Sequence, residues 1–396
     1  MIPYGKQSID ASDRAAVAEA LLSDYLTTGP AIAAFEDAVA ARVRAEYAIA
    51  CSSGTAALHL AMMACRVGPG DRVVTSPNTF LASANCAGYV GATPDFCDID
   101  PVTGNLDPDL LEANWKPDTK AVIAVDFAGH PCDMARIHSI ARKHGAFVIE
   151  DACHSFGGAL VHEGVPHPIG GHDFADLTMF SFHPVKTLTT GEGGMLTTSN
   201  SDLAERARRF RSHGMSHAAD SFECFGTKGD PLEEAGPWAY EMTEPGFNYR
   251  ITDLQCALGL SQLDRLDQFL DRRRAIVARY NEAFEELRWL QTPTIDKGHA
   301  AADHVAWHLY AVRIDFEALG ATRTEVMATL RNQGIGTQVH YVPVPLQPWY
   351  RREHGFQPGD FPKAEARYQG SLSLPLYPGM SDGDVTEVIQ AVSALG

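Results

Sequence analysis

The most informative segment of this chain reads Asp176-Leu-Thr-Met-Phe-Ser-Phe-His-Pro-Val-Lys186-Thr-Leu-Thr-Thr-Gly-Glu-Gly-Gly-Met195. The apolar residues from Leu177 to Phe182 predict a short buried strand, and Pro184 ends it because proline lacks the N–H that a strand ladder needs. Lys186 then lies on a stiff loop that is flanked by apolar residues and glycines. A lysine amine in such a setting is poorly hydrated, which makes it a nucleophile able to form a Schiff base. The alternative is an ordinary surface lysine beside a turn.

A second buried strand is predicted upstream, in Gly145-Ala-Phe-Val-Ile-Glu-Asp151-Ala-Cys-His154-Ser-Phe-Gly-Gly158. Asp151 and Lys186 are 35 residues apart, which leaves room for one crossover connection, so both strand ends can open on the same edge of a parallel sheet. An aspartate and a lysine at that edge suit pyridoxal 5'-phosphate (PLP). The carboxylate keeps the pyridine nitrogen protonated, and the lysine carries the aldehyde. The pair therefore predicts a PLP site with Asp151 and Lys186 as its catalytic residues.

Strands and helices alternate through the first half of the chain. Strands are predicted at 47–51, 71–76, 93–99 and 121–127, and helices at 13–23, 30–44, 52–63, 80–89, 107–113 and 133–144. This alternation predicts an α/β fold with a mainly parallel, doubly wound sheet and helices on both faces.

The pattern changes in the second half. From about 214 to 246 it dissolves into a long loop, which is usually functional or an interface. A long apolar-striped helix follows from about residue 254, and mixed elements follow it, including strands at 308–314 and 336–341. We therefore predict a large cofactor-binding domain at 1–246, which includes an N-terminal substrate segment. The long linking helix and a smaller α+β domain make up 247–396.

Composition argues against several classes of protein. The formal net charge of −18 disfavours nucleic acid or anionic lipid as a partner. The chain has no apolar run near 20 residues, and its first residues lack the apolar core of a signal peptide, so we expect a cytoplasmic, non-membrane protein. The eight cysteines form no CxxC pair, which favours buried free thiols over disulfides or a zinc site. His213 and His217 have helical spacing, but the residues between them suit a helix end, and we predict no metal.

Three further segments could face a ligand. Ser52-Ser53-Gly54-Thr55 lies between a predicted strand and a helix, where free backbone N–H groups can bind an anion, although any serine-rich helix cap looks the same. Phe80 lies near the expected carboxyl edge of the sheet, where it would either stack on a flat cofactor or pack in the core. The loop at 24–30 is either a connector or a substrate-facing segment.

Four motifs together resemble the DegT/DnrJ/EryC1/StrS aminotransferases, which are PLP enzymes that aminate nucleotide-linked keto-sugars. They are Ser53-Gly-Thr-Ala-Ala-Leu-His-Leu, Glu150-Asp-Ala-Cys-His, Ser181-Phe-His-Pro-Val-Lys with Thr-Gly-Glu-Gly-Gly, and Phe247-Asn-Tyr-Arg-Ile-Thr-Asp. The resemblance runs from Tyr4 to the last helix. It implies the PLP-dependent transferase fold of type I and a homodimer with shared active sites.

Within the family, the chain most resembles the pseudaminic-acid branch, whose members similarly begin Ile-Pro-Tyr-Gly and carry a Leu-Thr-x-Gly-Pro loop. That resemblance implies amination at C4 of a UDP-linked 2-acetamido-2,6-dideoxy-4-ketohexose, with L-glutamate as amino donor. Other nucleotide sugars remain open, including UDP-linked sugars of the D-series and dTDP or GDP carriers.

The resemblance also implies roles for individual residues. Besides Lys186 and Asp151, the implied cofactor contacts are His154 near the ring hydroxyl, Gly54, Thr55 and Ser181 at the phosphate, Phe80 stacking on the ring, and Asn248 reaching the phosphate from the neighbouring subunit. The implied substrate contacts are Tyr4, Asp24, Tyr25, Leu26, Thr27, Arg250, Gln338, His340 and Tyr341. One departure is Cys153, where many relatives have alanine.

Two rival functions are weighed against this one. Dehydratases of the same family carry histidine in place of the lysine, and Lys186 argues against that activity. A non-catalytic regulator that binds cofactor or sugar only as a signal is disfavoured because Lys186, Asp151 and Ser181 are all present.

Overall fold

The protein is described here from a computed structural model, which covers residues 1–218, 222–226, 228, 234, 236–296 and 298–396. Part of the predicted loop at 214–246 therefore lies outside the described residues.

The helices within the described ranges are α1 (Ala11–Leu22), α2 (Pro30–Val43), α3 (Gly54–Ala64), α4 (Ala82–Tyr89), α5 (Pro108–Ala113), α6 (Met134–Lys143), α7 (Ser201–Arg211), α8 (Asp253–Leu263), α9 (Leu266–Phe284), α10 (Phe316–Leu319), α11 (Arg323–Asn332), α12 (Pro348–His354), α13 (Pro362–Gly370) and α14 (Asp382–Ser393). The strands are β1 (Tyr47–Cys51), β2 (Arg72–Thr75), β3 (Thr93–Phe96), β4 (Thr119–Val125), β5 (Phe147–Asp151), β6 (Ala159–His162), β7 (Val165–Pro168), β8 (Leu177–Ser181), β9 (Gly194–Thr198), β10 (Met215–Ser216), β11 (Glu241–Met242), β12 (Leu290–Gln291), β13 (Tyr310–Ile314) and β14 (Ser371–Leu374).

Seven strands form the central sheet in the order β1-β9-β8-β5-β4-β2-β3. The four pairings from β8 through β3 are all parallel, whereas β9 runs antiparallel to both β1 and β8. Strands β5 and β8 are direct neighbours, with Asp151 opposite Met179. The predicted mainly parallel sheet is confirmed, and the strands that precede the predicted aspartate and lysine end at the same edge.

Helices cover both faces of this sheet, as the alternation predicted. On one face, side chains of α3, α4 and α7 pack against β-strand residues such as Ile123 and Ile149. On the other, α5 and α6 pack on Val122 and Val148, and α2, α8 and α9 pack around Phe180 and Phe182. Because the strands are buried on both faces, they read as continuous apolar runs rather than as alternating ones.

A second apolar cluster forms the core of the C-terminal part. Side chains of α9, α11 and α14 pack on the antiparallel sheet β12-β13-β14, and Ile2 of the N-terminal segment joins them. The division into domains at 1–246 and 247–396 stays a prediction. No helix within the described residues is both long enough and apolar enough to span a bilayer.

Two predicted elements differ in the structure. The long helix expected from residue 254 is broken between Leu263 and Leu266. Periodicity could not show the break, because both halves direct their apolar side chains into the same cluster. The strand expected at 336–341 is absent, and only Gln338 forms a bridge, to Ser373. A side-chain hydrogen bond between His340 Nδ1 and Ser373 Oγ, 2.8 Å long, holds the rest of this segment instead of a ladder.

Sequence reasoning also missed the β6–β7 hairpin, an insertion between β5 and β8. Two arginines of α7 are anchored to the backbone of neighbouring elements: Arg206 donates to the carbonyls of Met63 and Ala64, and Arg211 to that of Ala50.

Candidate active site

A cavity of about 750 Å³ opens at the carboxyl edge of the central sheet. Its walls come from the ends of β5 and β8, the N-terminus of α3, and the segment 338–341. Ten of the residues that were assigned catalytic, cofactor or substrate contacts line it: Tyr4, Gly54, Thr55, Phe80, Asp151, Ser181, Lys186, Gln338, His340 and Tyr341.

Lys186 lies half-buried on the loop between β8 and β9. The loop is closed by its own backbone, because Phe182 N–H donates to Gly193 O at 2.9 Å and Thr190 N–H donates to Phe182 O at 3.0 Å. The lysine ammonium contributes to lowering the pKa of His154, His308 and His340. Lys186 lines the cavity together with two of these histidines, His308 and His340.

Asp151 is buried at the end of β5. Its Oδ2 accepts a 2.6 Å hydrogen bond from Ser83 Oγ, which lies 2.8 Å from Thr79 Oγ1, and its Oδ1 accepts one from Cys153 N–H at 3.2 Å. Cys153 lines the cavity together with Asp151 and Lys186. Burial raises the pKa of the Cys153 thiol above its usual range, so it is a neutral group between the two.

The N-terminus of α3 provides an anion-binding surface beside Lys186. Ser53 caps the helix by accepting from Ala56 N–H at 3.1 Å, while the N–H groups of Gly54 and Thr55 have no acceptor within the helix. A β-carbon on Gly54 would lie 2.9 Å from the Ser181 β-carbon, so only glycine allows this close approach. A phosphate suits such a helix end because both the free N–H groups and the helix dipole favour negative charge.

Phe80 is 56% exposed and lines the cavity, so the alternative that it packs in the core is wrong. The cavity thus combines an amine, a buried carboxylate, an anion-binding helix end and an exposed aromatic ring. These are the groups that PLP needs: the amine for its aldehyde, the carboxylate for its pyridine nitrogen, the helix end for its phosphate and the aromatic side chain for its flat ring. The residues present therefore fit this cofactor.

His154 does not line the cavity but lies directly behind it, 3% exposed. Its Nδ1 accepts from Ala128 N–H at 3.2 Å, and its Nε2 is 3.3 Å from the hydroxyl of Tyr341. Burial first, and then Lys186, hold the pKa of His154 well below its usual value. Burial likewise lowers the pKa of His340 to about 4. The imidazoles around the lysine are therefore neutral at physiological pH.

Six predicted residues are not brought to this cavity. Asp24, Tyr25, Leu26 and Thr27 are exposed, Asn248 is exposed and Arg250 is half-buried, and none of them lines it. The segment at 24–27 and the segment that carries Asn248 and Arg250 are instead neighbours on the surface. Thr27 pairs with Thr252, and Asp253 N–H donates to Leu26 O at 3.1 Å.

Sequence reasoning missed Ser83 and His308. Ser83 lies on α4 and gave no signal, because a serine inside a small-residue helix is unremarkable in one dimension. His308 is buried, lines the cavity, and its Nδ1 has no hydrogen-bond partner among the described residues. Its signal was available, since it is a lone polar residue between Trp307 and Leu309 in an apolar run.

A profile of the DegT/DnrJ/EryC1/StrS aminotransferase family matches residues 7–393, and the chain belongs to this family. The spore coat polysaccharide biosynthesis protein SpsC of Bacillus subtilis (strain 168) is 44% identical over 392 residues, which are 99% of this chain and 96% of SpsC. The structure of Helicobacter pylori PseC, an aminotransferase involved in the biosynthesis of pseudoaminic acid, matches with a TM-score of 0.87 at 28% identity. The match covers 100% of this chain and 98% of PseC.

A third similar structure bears on the cofactor. Spr1654 from Streptococcus pneumoniae matches in its PMP form with a TM-score of 0.88 at 30% identity, over 100% of this chain and 99% of Spr1654, and a PLP form of it is also known. The chain is therefore a PLP-dependent aminotransferase, and sugar aminotransferase activity is the function that these relatives support. The predicted family, fold, enzyme class and cofactor are confirmed.

Proposed function

We propose that this enzyme transfers the amino group of L-glutamate to C4 of a UDP-linked 4-keto-6-deoxy-N-acetylhexosamine, as in the biosynthesis of pseudaminic acid-type nucleotide sugars. Similarity over the whole chain to PseC supports this substrate. The observation that carries the proposal is the joint placement of Asp151 and Lys186 on one cavity, beside the anion-binding N-terminus of α3. That arrangement suits amino transfer rather than mere ligand storage.

When bound, PLP supplies an electron sink that makes a hydrogen on the adjacent substrate carbon acidic. The residues of this chain have complementary tasks. Asp151, fixed by Ser83, would keep a proton on the pyridine nitrogen, and the N–H groups of Gly54 and Thr55 with the Ser181 hydroxyl would bind the phosphate. Phe80 would cover the ring and help to exclude water, and His154 would lie near the ring hydroxyl.

The free amine of Lys186 moves the protons of the reaction. In the first half-reaction, its Nζ takes the proton from Cα of glutamate as a general base, and water supplies the keto oxygen of the 2-oxoglutarate that leaves. In the second, the ketone carbon of the sugar receives that amino group while its oxygen leaves as water, and Nζ returns a proton to C4. The imidazoles of His154 and His340 are neutral, so they add no positive charge beside Lys186.

We also propose that the active enzyme is a homodimer with shared active sites. The predicted contacts that miss their own cavity, at 24–27 and at Asn248 and Arg250, share one surface through the bridge between Thr27 and Thr252. A partner subunit docked on that surface would receive these residues in its own cavity. Among the described residues that line the cavity, Lys186 is the only lysine or arginine. One chain therefore supplies few positive charges for two ligands that both carry phosphate, the cofactor and the nucleotide sugar.

A second candidate is amination of another 4-keto or 3-keto nucleotide sugar, carried on UDP, dTDP or GDP. The higher identity to SpsC, a protein of spore coat polysaccharide biosynthesis, favours keeping it. The intact Lys186 continues to argue against a dehydratase.

A mass-spectrometric panel of 4-keto nucleotide sugars with L-glutamate tests the proposal. We expect 2-oxoglutarate and an amino sugar from the UDP-linked N-acetyl substrate, and neither product from the Lys186→Ala variant. Amination of a dTDP- or GDP-linked sugar alone would overturn the UDP substrate but not the reaction. Absence of 2-oxoglutarate with every sugar would favour the rival function, a non-catalytic regulator that binds cofactor or sugar only as a signal. After borohydride reduction, the peptide containing Lys186 should carry the mass of the cofactor.

A further inference from the structure

Ala128 lies in a strained backbone conformation behind the cavity wall. Its φ of 61° and ψ of 5° fall in the left-handed region, where the β-carbon of any residue other than glycine crowds its own backbone. Both of its backbone polar groups are bonded to histidine residues: its N–H donates to His154 Nδ1 at 3.2 Å, and its carbonyl accepts from His308 N–H at 2.9 Å. Strain of this kind persists where the surroundings fix it, and it often marks a functional site.

The N–H of Ala128 fixes the tautomer of His154. A backbone N–H can only donate, so Nδ1 of His154 must be the unprotonated, accepting nitrogen. A neutral imidazole then carries its one hydrogen on Nε2. An imidazolium would set an Nδ1 hydrogen against the Ala128 hydrogen, and burial at 3% exposure disfavours the charged form further. His154 is therefore a neutral donor at Nε2.

This tautomer determines how the hydroxyl of Tyr341 is oriented. The two atoms are 3.3 Å apart, and since Nε2 carries the hydrogen, the phenol oxygen must accept. The hydrogen of the hydroxyl is then free for another partner, and Tyr341 lines the cavity. Burial raises the pKa of Tyr341 well above its usual value, and the groups that face it, Cys153, Asp151 and Tyr4, raise it further, so the hydroxyl keeps its hydrogen.

We propose that Tyr341 is a catalytic residue whose hydroxyl donates a hydrogen bond to the carbonyl oxygen at the reacting carbon of the sugar. His154 is the positioning residue that leaves this hydrogen free, and Ala128 is the residue that locks His154. As electron density moves onto the carbonyl oxygen, the Tyr341 hydroxyl stabilises it and the Nε2–H of His154 stabilises the phenol in turn. The inference rests on the proposed amination of a keto sugar, and it adds a donor role to the contact that the resemblance implied for Tyr341.

Histidine ¹⁵N NMR of the PLP-loaded enzyme tests the lock without any turnover. We expect His154, assigned by the loss of its signals in His154→Gln, to show a protonated Nε2 and an unprotonated Nδ1 from pH 5.5 to 8.5. Tyr341→Phe should shift the Nε2 resonance. Tyr350→Phe is the matched control, because it removes a hydroxyl bonded to Asn85 Oδ1 at 2.6 Å outside the cavity, and it should shift nothing. A protonated Nδ1, or an Nε2 resonance unmoved in Tyr341→Phe, would overturn the proposal.

Ligand binding tests the donor role. On the PLP-loaded Lys186→Ala protein, which cannot turn over, the UDP-linked 4-keto sugar and its 4-deoxy analogue are titrated by calorimetry. One neutral hydrogen bond corresponds to roughly a 3- to 10-fold change in Kd, so Tyr341→Phe should weaken binding of the keto sugar by that factor and leave binding of the deoxy analogue unchanged. Equal weakening of both ligands, or of neither, overturns the donor role. If the keto sugar fails to bind even with Tyr341 intact, the proposed substrate is wrong, and the NMR result decides on the lock.

Discussion

Replacing Ser83 by alanine removes one hydrogen bond from Asp151 and leaves the other, from Cys153 N–H at 3.2 Å, in place. The lost bond is 2.6 Å long and ends on a buried carboxylate. Hydrogen bonds to charged groups contribute about 1.5–3 kcal/mol, and a factor of ten in rate corresponds to about 1.36 kcal/mol. Because one donor remains, we expect the lower end of that range, a loss of about 10- to 30-fold in the rate of the glutamate half-reaction.

The assay is a single-turnover measurement of 2-oxoglutarate formation and of the accompanying change in cofactor absorbance. Ser155→Ala is a matched control, because Ser155 Oγ donates an equally short 2.6 Å hydrogen bond to another buried carboxylate, Asp126, which does not line the cavity. The control should lower stability and leave the half-reaction rate unchanged. Equal rate losses in both variants, or a wild-type rate in Ser83→Ala, would refute the assignment of Asp151 as the residue at the pyridine nitrogen.

Three further outcomes are expected. Gly54→Val should weaken PLP binding at least tenfold in a fluorescence titration, because even its β-carbon would lie 2.9 Å from that of Ser181; unchanged affinity would remove this helix end from the phosphate site. Burial raises the pKa of Asp126 well above its usual value, so the stability that its protonated form contributes declines as pH rises above about 4. Asp126→Asn should therefore gain stability relative to wild type with rising pH in urea titrations, and a constant difference would contradict this sign. Arg273→Met should lower the free energy of unfolding by about 2–4 kcal/mol, because the buried guanidinium donates to three carbonyls. The control Arg272→Met, on the more exposed side of α9, should lower it by under about 1 kcal/mol. Equal losses in the two variants would contradict the role of burial.

The parts of the fold that were predictable are those where local pattern and packing agree. The strand ending at Asp151 and the strand leading to Lys186 are continuous apolar runs, because both of their faces are covered by helices. Their adjacency followed from the chain length between them, which permits one crossover. The β6–β7 hairpin was not predicted, because this insertion adds two strands without changing which edge of the sheet carries Asp151 and Lys186.

What could not be predicted depends on distances between segments far apart in the sequence. Ser83 meets Asp151 only because α4 packs beside the end of β5, and no local pattern encodes that contact. The break between Leu263 and Leu266 was hidden because one apolar stripe serves both helices. Phe80 had two possible environments, and its exposure to the cavity became visible only with the fold. Composition alone could not have decided among these outcomes.

The closure of the lysine loop has a consequence for local dynamics. Since the amides of Phe182 and Thr190 bond across the base of the loop and β8 and β9 are paired on both sides, opening this segment requires disrupting the middle of the central sheet. These two amides should therefore exchange with deuterium almost as slowly as global unfolding allows. Because this loop opens so rarely, the Lys186 amine should return to the same position after every catalytic cycle. The backbone amides of the exposed segment at 24–27 should instead exchange rapidly in the isolated subunit.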